Sequence, residues 1–214
     1  MSLIGHYSLC TEHLPPAKKT HLIEYWTASN GVFVRAKREG LEAVIPVCSV
    51  PLSPLKMLYP LHPDIRLAGP RVSQDLVLEM FMQSLQAQTP QHEPAEILFH
   101  LYYLQDQWQI SVPDQEQSRN TVQSRQLYGI STPVPLIDLH SHHEWESFFS
   151  PTDTEDEKGC RIYAVWGSIF TQPVICVRVG IYGHFYPIRA TEIFDLPPII
   201  ADGYETLVQE RGGW

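Results

Sequence analysis

Two kinds of periodicity divide the chain. Up to about residue 72, short apolar runs alternate with prolines. Gly31-Val32-Phe33-Val34-Arg35-Ala36 and Leu41-Glu42-Ala43-Val44-Ile45-Pro46-Val47 are rich in β-branched and aromatic residues, and Lys37-Arg38-Glu39-Gly40 between them reads as a hairpin loop. Pro15, Pro16, Pro46, Pro51, Pro54, Pro60, Pro63 and Pro70 punctuate this region. Residues 1–72 are therefore expected to form a small β-rich N-terminal module, with residues 60–70 as the linker out of it.

From residue 73 the period changes. Leu76, Val77, Met80, Phe81 and Leu85 recur near the helical spacing, Ser73 stands where a cap belongs, and Thr89-Pro90 ends the pattern. Apolar runs at 97–104 and 108–112 read as two antiparallel strands. Weaker or shorter strands are expected at 120–130 and 134–142, and a charged helix start at 154–158. Three more strands follow at 161–169, 174–182 and 184–189, the last two joined at Gly183. Helix, strands, helix, strands in this order predict an α+β sandwich over residues 73–214.

Candidate chemistry is concentrated between His140 and Asp153. His140 and His142 lie two apart at the end of an expected strand, so a period of two places both imidazoles on one face. Two imidazoles and one carboxylate make an open zinc site whose fourth position takes water. The carboxylate must come from a separate element. Asp153 fits, at an expected helix start and after a loop whose Phe148 and Phe149 can anchor it and exclude water.

Composition narrows the function classes. With 43% hydrophobic and 18% charged residues the chain is not a disordered one. No apolar run reaches the roughly 18 residues that cross a bilayer, and the first residues lack the pattern of a secretory signal, so a cytoplasmic protein with no membrane partner is expected. A net charge of -9 argues against nucleic acid as a partner; the densest basic stretch is only Arg35-Ala36-Lys37-Arg38. Cys10, Cys48, Cys160 and Cys176 form no CxxC pair and are expected to be reduced and mostly buried.

The spacing HxH, seven residues, Ser, two residues, Asp resembles the signature of the JAMM (MPN+, JAB) zinc metalloprotease family, and His140, His142, Ser150 and Asp153 stand at its positions. With 10 His, 15 Ser and 9 Asp in the chain, chance supplies such a match about once in a thousand sequences. The family's upstream glutamate has its counterpart in Glu93-Pro94-Ala95-Glu96-Ile97-Leu98-Phe99. Glu96 is preferred because it borders the apolar strand; Glu93, before Pro94, competes with it. The resemblance covers residues 73 to about 195 and is nearest the prokaryotic JAB branch, of the PRTRC-system type. It implies an MPN/JAB-type α-β sandwich, with Zn2+ held by His140, His142 and Asp153. It also implies Glu96 as general base and Ser150 as donor to the oxyanion. The reaction implied is hydrolysis of a peptide or isopeptide bond at the C-terminal tail of a ubiquitin-like or sulfur-carrier-like protein. Activating- and conjugating-enzyme-like proteins are the neighbours implied. The family usually has proline after the second histidine; here His143 takes that place and is expected at the surface or behind the ligands.

Other residues admit two readings each. Asp138 is either a solvent-facing strand-end carboxylate or an acceptor that orients a ligand histidine. Asp156 and Glu157 share a helix face with Asp153 and either bind metal in its place or stabilise the helix N-terminus. Cys160 is a buried thiol or a soft ligand. Trp145, Phe148, Phe149 and Trp166 are core or groove wall. Gly212-Gly213 before Trp214 is a thin tail of the kind that enters a narrow cleft. The alternative to an enzyme is an inactive MPN scaffold or interaction module, and a nucleic-acid-processing relative of the RadC type is disfavoured by the charge. The complete set of Glu96, His140, His142, Ser150 and Asp153 favours the enzyme.

Overall fold

The computed structural model describes residues 5–49, 57–125 and 133–210. Strands hold 43% of them and helices 15%. The fold is β-rich with two mixed sheets, which overturns the expected MPN/JAB-type α-β sandwich. The reason is visible in the periodicity. Only one stretch sustains a helical repeat long enough to bury a helix face, while alternating or fully apolar short runs recur throughout the chain.

The first sheet has the order β1 (Gly5–Leu9), β2 (Ile23–Ala28), β3 (Gly31–Arg38), β4 (Leu41–Ser49) and β5 (Asp64–Leu67), with β1 parallel to β2 and the other pairs antiparallel. The β3–β4 hairpin lies where the sequence puts it. Strand β5 lies inside the expected linker: Asp64 to Leu67 alternate in exposure and pair with β4. Strand β2 eluded the pattern because it buries Glu24, whose carboxylate accepts from Arg35 Nε at 2.6 Å. Helix α1 (Gln74–Gln86) follows; Ser73 is at its N-cap position, but the side chain makes no capping hydrogen bond.

The rest of the chain contributes β6 (Leu98–Leu104), β7 (Gln107–Ser111), a separate hairpin of β8 (Gln115–Gln117) and β9 (Val122–Ser124), then β10 (Ile137–Ser141), helix α2 (Pro151–Asp156), β11 (Cys160–Gly167), β12 (Val174–Ile181), β13 (His184–Ile188), the two-residue β14 (Ala201–Asp202) and helix α3 (Tyr204–Glu210). The second sheet runs β13-β12-β11-β10-β6-β7, with β14 also paired to β12 and with β10 parallel to β11. Helix α3 and strand β8 were not legible in the sequence; of the weak strand expected at 120–130, β9 forms the first part, and residues 126–130 lie outside the described residues. No helix among the described residues is long and apolar enough to cross a membrane.

Alternation along the central strands assigns the two faces of this sheet. Phe99, Leu101, Ile137, Leu139, Ile162, Ala164, Trp166, Val177 and Val179 point to one side and share a core with Val77, Met80 and Phe81 of α1 and with Val34, Leu41, Ala43 and Ile45 of the first sheet. Phe81 meets Trp166 edge-on, with ring centroids 5.7 Å apart. Arg38, at the end of β3, donates to the carbonyls of Val134 (2.6 Å) and Pro135 (3.0 Å), and so ties the first sheet to the entry of β10. The opposite face carries the polar residues. His100 of β6, Asp138 of β10, Tyr163 of β11 and Arg178 of β12 stand in one cross-strand row, and His140 pairs with Leu98 and Val165 in the next row on that face.

Candidate metal centre

His140 and His142 leave the end of β10 on the polar face, as a period of two requires. Past the last ladder pair the backbone is still pinned, by Ser141 N to Ile97 O (3.1 Å) and His142 N to Trp166 O (2.8 Å). The chain then folds back across the end of β11. Ser168 N donates to Trp145 O (2.7 Å), Ile169 N to His143 O (2.9 Å), and Ser147 Oγ to Val165 O (2.7 Å). Gly167 makes this crossing possible: a Cβ there would run into the Trp145 carbonyl and the next peptide unit. The loop delivers Ser150 to the start of α2. Its hydroxyl accepts from Asp153 N (3.1 Å) while Ser150 N donates to Asp153 Oδ2 (2.7 Å), a capping box that fixes both side chains.

These elements bring His140, His142 and Asp153 together as a group that can hold a metal ion. The two Nε2 atoms are 3.1 Å apart. His140 Nε2 is 3.5 Å from Asp153 Oδ1 and His142 Nε2 is 3.8 Å from Oδ2. Ligand atoms 2.0–2.2 Å from a tetrahedral ion lie about 3.3–3.6 Å from one another, so the spacing suits one cation at their centre. The protonation chemistry suits it as well. Burial pushes His140 down to about 4 against the pull of Asp153, and burial lowers His142 too, so both rings are neutral near pH 7 and keep a lone pair. His142 Nδ1 faces the Glu146 carbonyl at 3.4 Å, the contact that leaves Nε2 as the ligating nitrogen.

Glu96 is buried just before β6. Its N–H donates to Ser118 O (2.9 Å) and its carbonyl accepts from Gln117 Nε2 (2.9 Å), so the β8–β9 hairpin clamps it. Burial, with Asp153 as a second cause, raises its carboxyl to about 8. Glu96, His142, Ser150 and Asp153 line one cavity of about 640 Å3, walled by Trp145 and Phe148 on one side and by the hairpin on the other. A second cavity of about 670 Å3 adjoins it across Val122, Gln123, Asp153 and Asp156, with His100, Asp138 and His140 in its lining. Glu93 is an exposed turn residue whose N–H reaches Thr89 Oγ1.

Other candidates fall elsewhere. Asp138 is not a solvent-facing carboxylate: its Oδ2 accepts from Arg161 Nη1 at 2.6 Å and only 15% of its side chain is exposed. Asp156 accepts from Gln123 (3.0 Å) and Glu157 from Arg178, so neither joins the ligand group. Cys10, Cys160 and Cys176 are buried and Cys48 is exposed, all as free thiols; burial drives Cys160 up to about 11. Trp166 is core, while Trp145 and Phe148 form groove wall, Phe148 meeting His142 edge-on. His143 is not at the surface. Its ring is buried, with Nε2 3.1 Å from Ser84 O, and its backbone sits at φ +47°. Proline, fixed near −65°, does not fit that conformation. Gly212 and Gly213 lie outside the described residues.

Arg178, which is not among the residues expected at the site, is buried on the same face as His140 and near it. One charged residue inside the apolar run Val174-Ile175-Cys176-Val177-Arg178-Val179 was the available signal, since a buried guanidinium requires partners. Compared with known proteins, the chain matches no family model and no curated protein.

Proposed function

We propose that this protein is a zinc-dependent hydrolase of peptide or isopeptide bonds, of the JAMM kind in its site residues, acting on the C-terminal tail of a ubiquitin-like or sulfur-carrier-like protein. The observation that carries the reading is the convergence of two imidazoles and one carboxylate beside a buried glutamate that lines the same cavity. Zinc fits two nitrogens and one oxygen with a fourth position open. When bound, it would lower the pKa of water toward ~7 and polarise the scissile carbonyl.

The chain's own groups divide the remaining work. Glu96 accepts the proton of the attacking water and hands it to the leaving amine; it lines the same cavity as His142 and Asp153, where that water would be held. Ser150 Oγ spends a lone pair on Asp153 N, which leaves its proton to donate to the oxyanion. Phe148 and Trp145 form one apolar wall of the groove. Activating- and conjugating-enzyme-like partners belong to the same proposal through the resemblance.

The test is hydrolysis of a ubiquitin-like protein extended past its C-terminal tail, by protein loaded with one zinc per chain. Cleavage by wild type, with none by Glu96→Gln at equal zinc content, is expected. Metal-loaded wild type that leaves a panel of such substrates intact would favour the scaffold reading.

A further inference from the structure

Helix α2 has an anchoring problem. It is six residues long and buries none of them, yet it carries Asp153 and is capped by Ser150. A helix this short has no stability of its own, so its placement must come from contacts made around it. The strongest of these converge on Arg178.

Arg178 projects from β12 toward α2 and is 3% exposed. Its guanidinium lies between the rings of Phe149 and Phe185, 3.9 and 4.0 Å from their centroids. Nε and Nη2 both donate to Glu157 Oε2, at 2.8 and 2.5 Å, and Nη1 donates to Thr154 Oγ1 at 3.2 Å. Thr154 Oγ1 in turn donates to the Ser150 carbonyl at 3.1 Å. Arg178 therefore grips the segment at residues 149, 154 and 157, on both sides of Ser150 and Asp153. The planar fork and the two ring faces define one orientation, which a flexible ammonium does not.

We propose that Arg178 is the positioning residue of the metal centre, holding α2 so that the Asp153 carboxylate faces His140 and His142. The inference rests on reading that group as a metal site and assigns a role to a residue that touches neither the ion nor the substrate. Removing a group that orients a ligand typically costs 10–100-fold in metal affinity.

The experiment titrates metal-free full-length protein with Co2+ and reads visible absorption, alongside melting of the metal-free forms. Wild type is expected to take up one Co2+ per chain with the intense band of a four-coordinate site. Arg178→Met keeps the apolar stem between the rings and loses the donors; it should bind about 10–100-fold more weakly, with a weaker band, although all three ligands are present. Thr154→Val and Glu157→Leu remove the other ends of the same contacts at less buried positions, and each should weaken binding several-fold. If Arg178→Met does not fold, these two variants decide. A folded Arg178→Met, or this pair, with wild-type affinity and band would overturn the role of Arg178 and leave the metal centre standing. Wild type that takes up no Co2+ would overturn the metal centre itself, and the positioning role with it.

Discussion

Glu96→Gln offers a thermodynamic prediction that needs no substrate. Glu96 is 4% exposed and its carboxyl rises from 4.5 to about 8 because burial disfavours the charged form and Asp153 repels it. The folded protein then binds this proton more tightly than the unfolded chain does. Stability from this group is complete below pH 4.5 and declines as pH rises through about 8, where the folded state must hold a buried anion. At about 1.4 kcal/mol per unit, the full shift sets an upper bound of about 5 kcal/mol, and relaxation of the clamp around Glu96 brings a few kcal/mol as the working figure. Glutamine keeps the shape without the charge. Metal-free wild type and Glu96→Gln, unfolded in denaturant from pH 5 to pH 9, should therefore diverge, with the variant the more stable by a few kcal/mol at pH 9 and the difference shrinking toward pH 5. His140 and His142 act in the opposite sense, losing stability as pH falls below 6.5, but both proteins share that contribution and it cancels in the difference. A difference independent of pH would refute the placement of Glu96 in a desolvated site facing Asp153.

With zinc present, Glu96→Gln should retain one metal per chain and lose hydrolysis, while His142→Ala and Asp153→Ala lose both; elemental analysis beside a cleavage assay checks this. Ser150→Ala should keep its metal, lose about 1 kcal/mol of stability with the cap and about 2.7–4 kcal/mol of transition-state stabilisation, read as a fall in kcat. His143→Pro forces a residue at φ +47° toward −65° and removes the contact with the Ser84 carbonyl. It should cost about 3 kcal/mol or more and lower Tm by about 6–12 °C in a scanning calorimeter, and an unchanged Tm would contradict the loop path.

The histidine pair and its partner were legible because their geometry is local. Two residues on one strand face and an aspartate three residues beyond a serine cap are short-range facts, and the capping box repeats in hydrogen bonds what the spacing states in letters. The central strands were legible for a similar reason: a strand such as Val174–Ile181, buried on both faces, reads as an apolar run. What stayed hidden depends on distant partners. Glu24 breaks the alternation of β2 and is buried only because Arg35 meets it from the next strand. Strand β5 exists because β4 offers it an edge. Arg178 acquires its role from Glu157, Thr154 and two aromatic rings brought together by the fold. The α+β sandwich expected from the order of elements and from the resemblance gives way to a β-rich architecture, within which His140, His142 and Asp153 converge.

The most direct test of the metal centre is anomalous diffraction at the zinc absorption edge, from crystals of the full chain prepared with zinc. One peak is expected, about 2.0–2.2 Å from His140 Nε2, His142 Nε2 and an Asp153 carboxylate oxygen. No peak at that position, or a zinc ion bound by other side chains, would contradict the account.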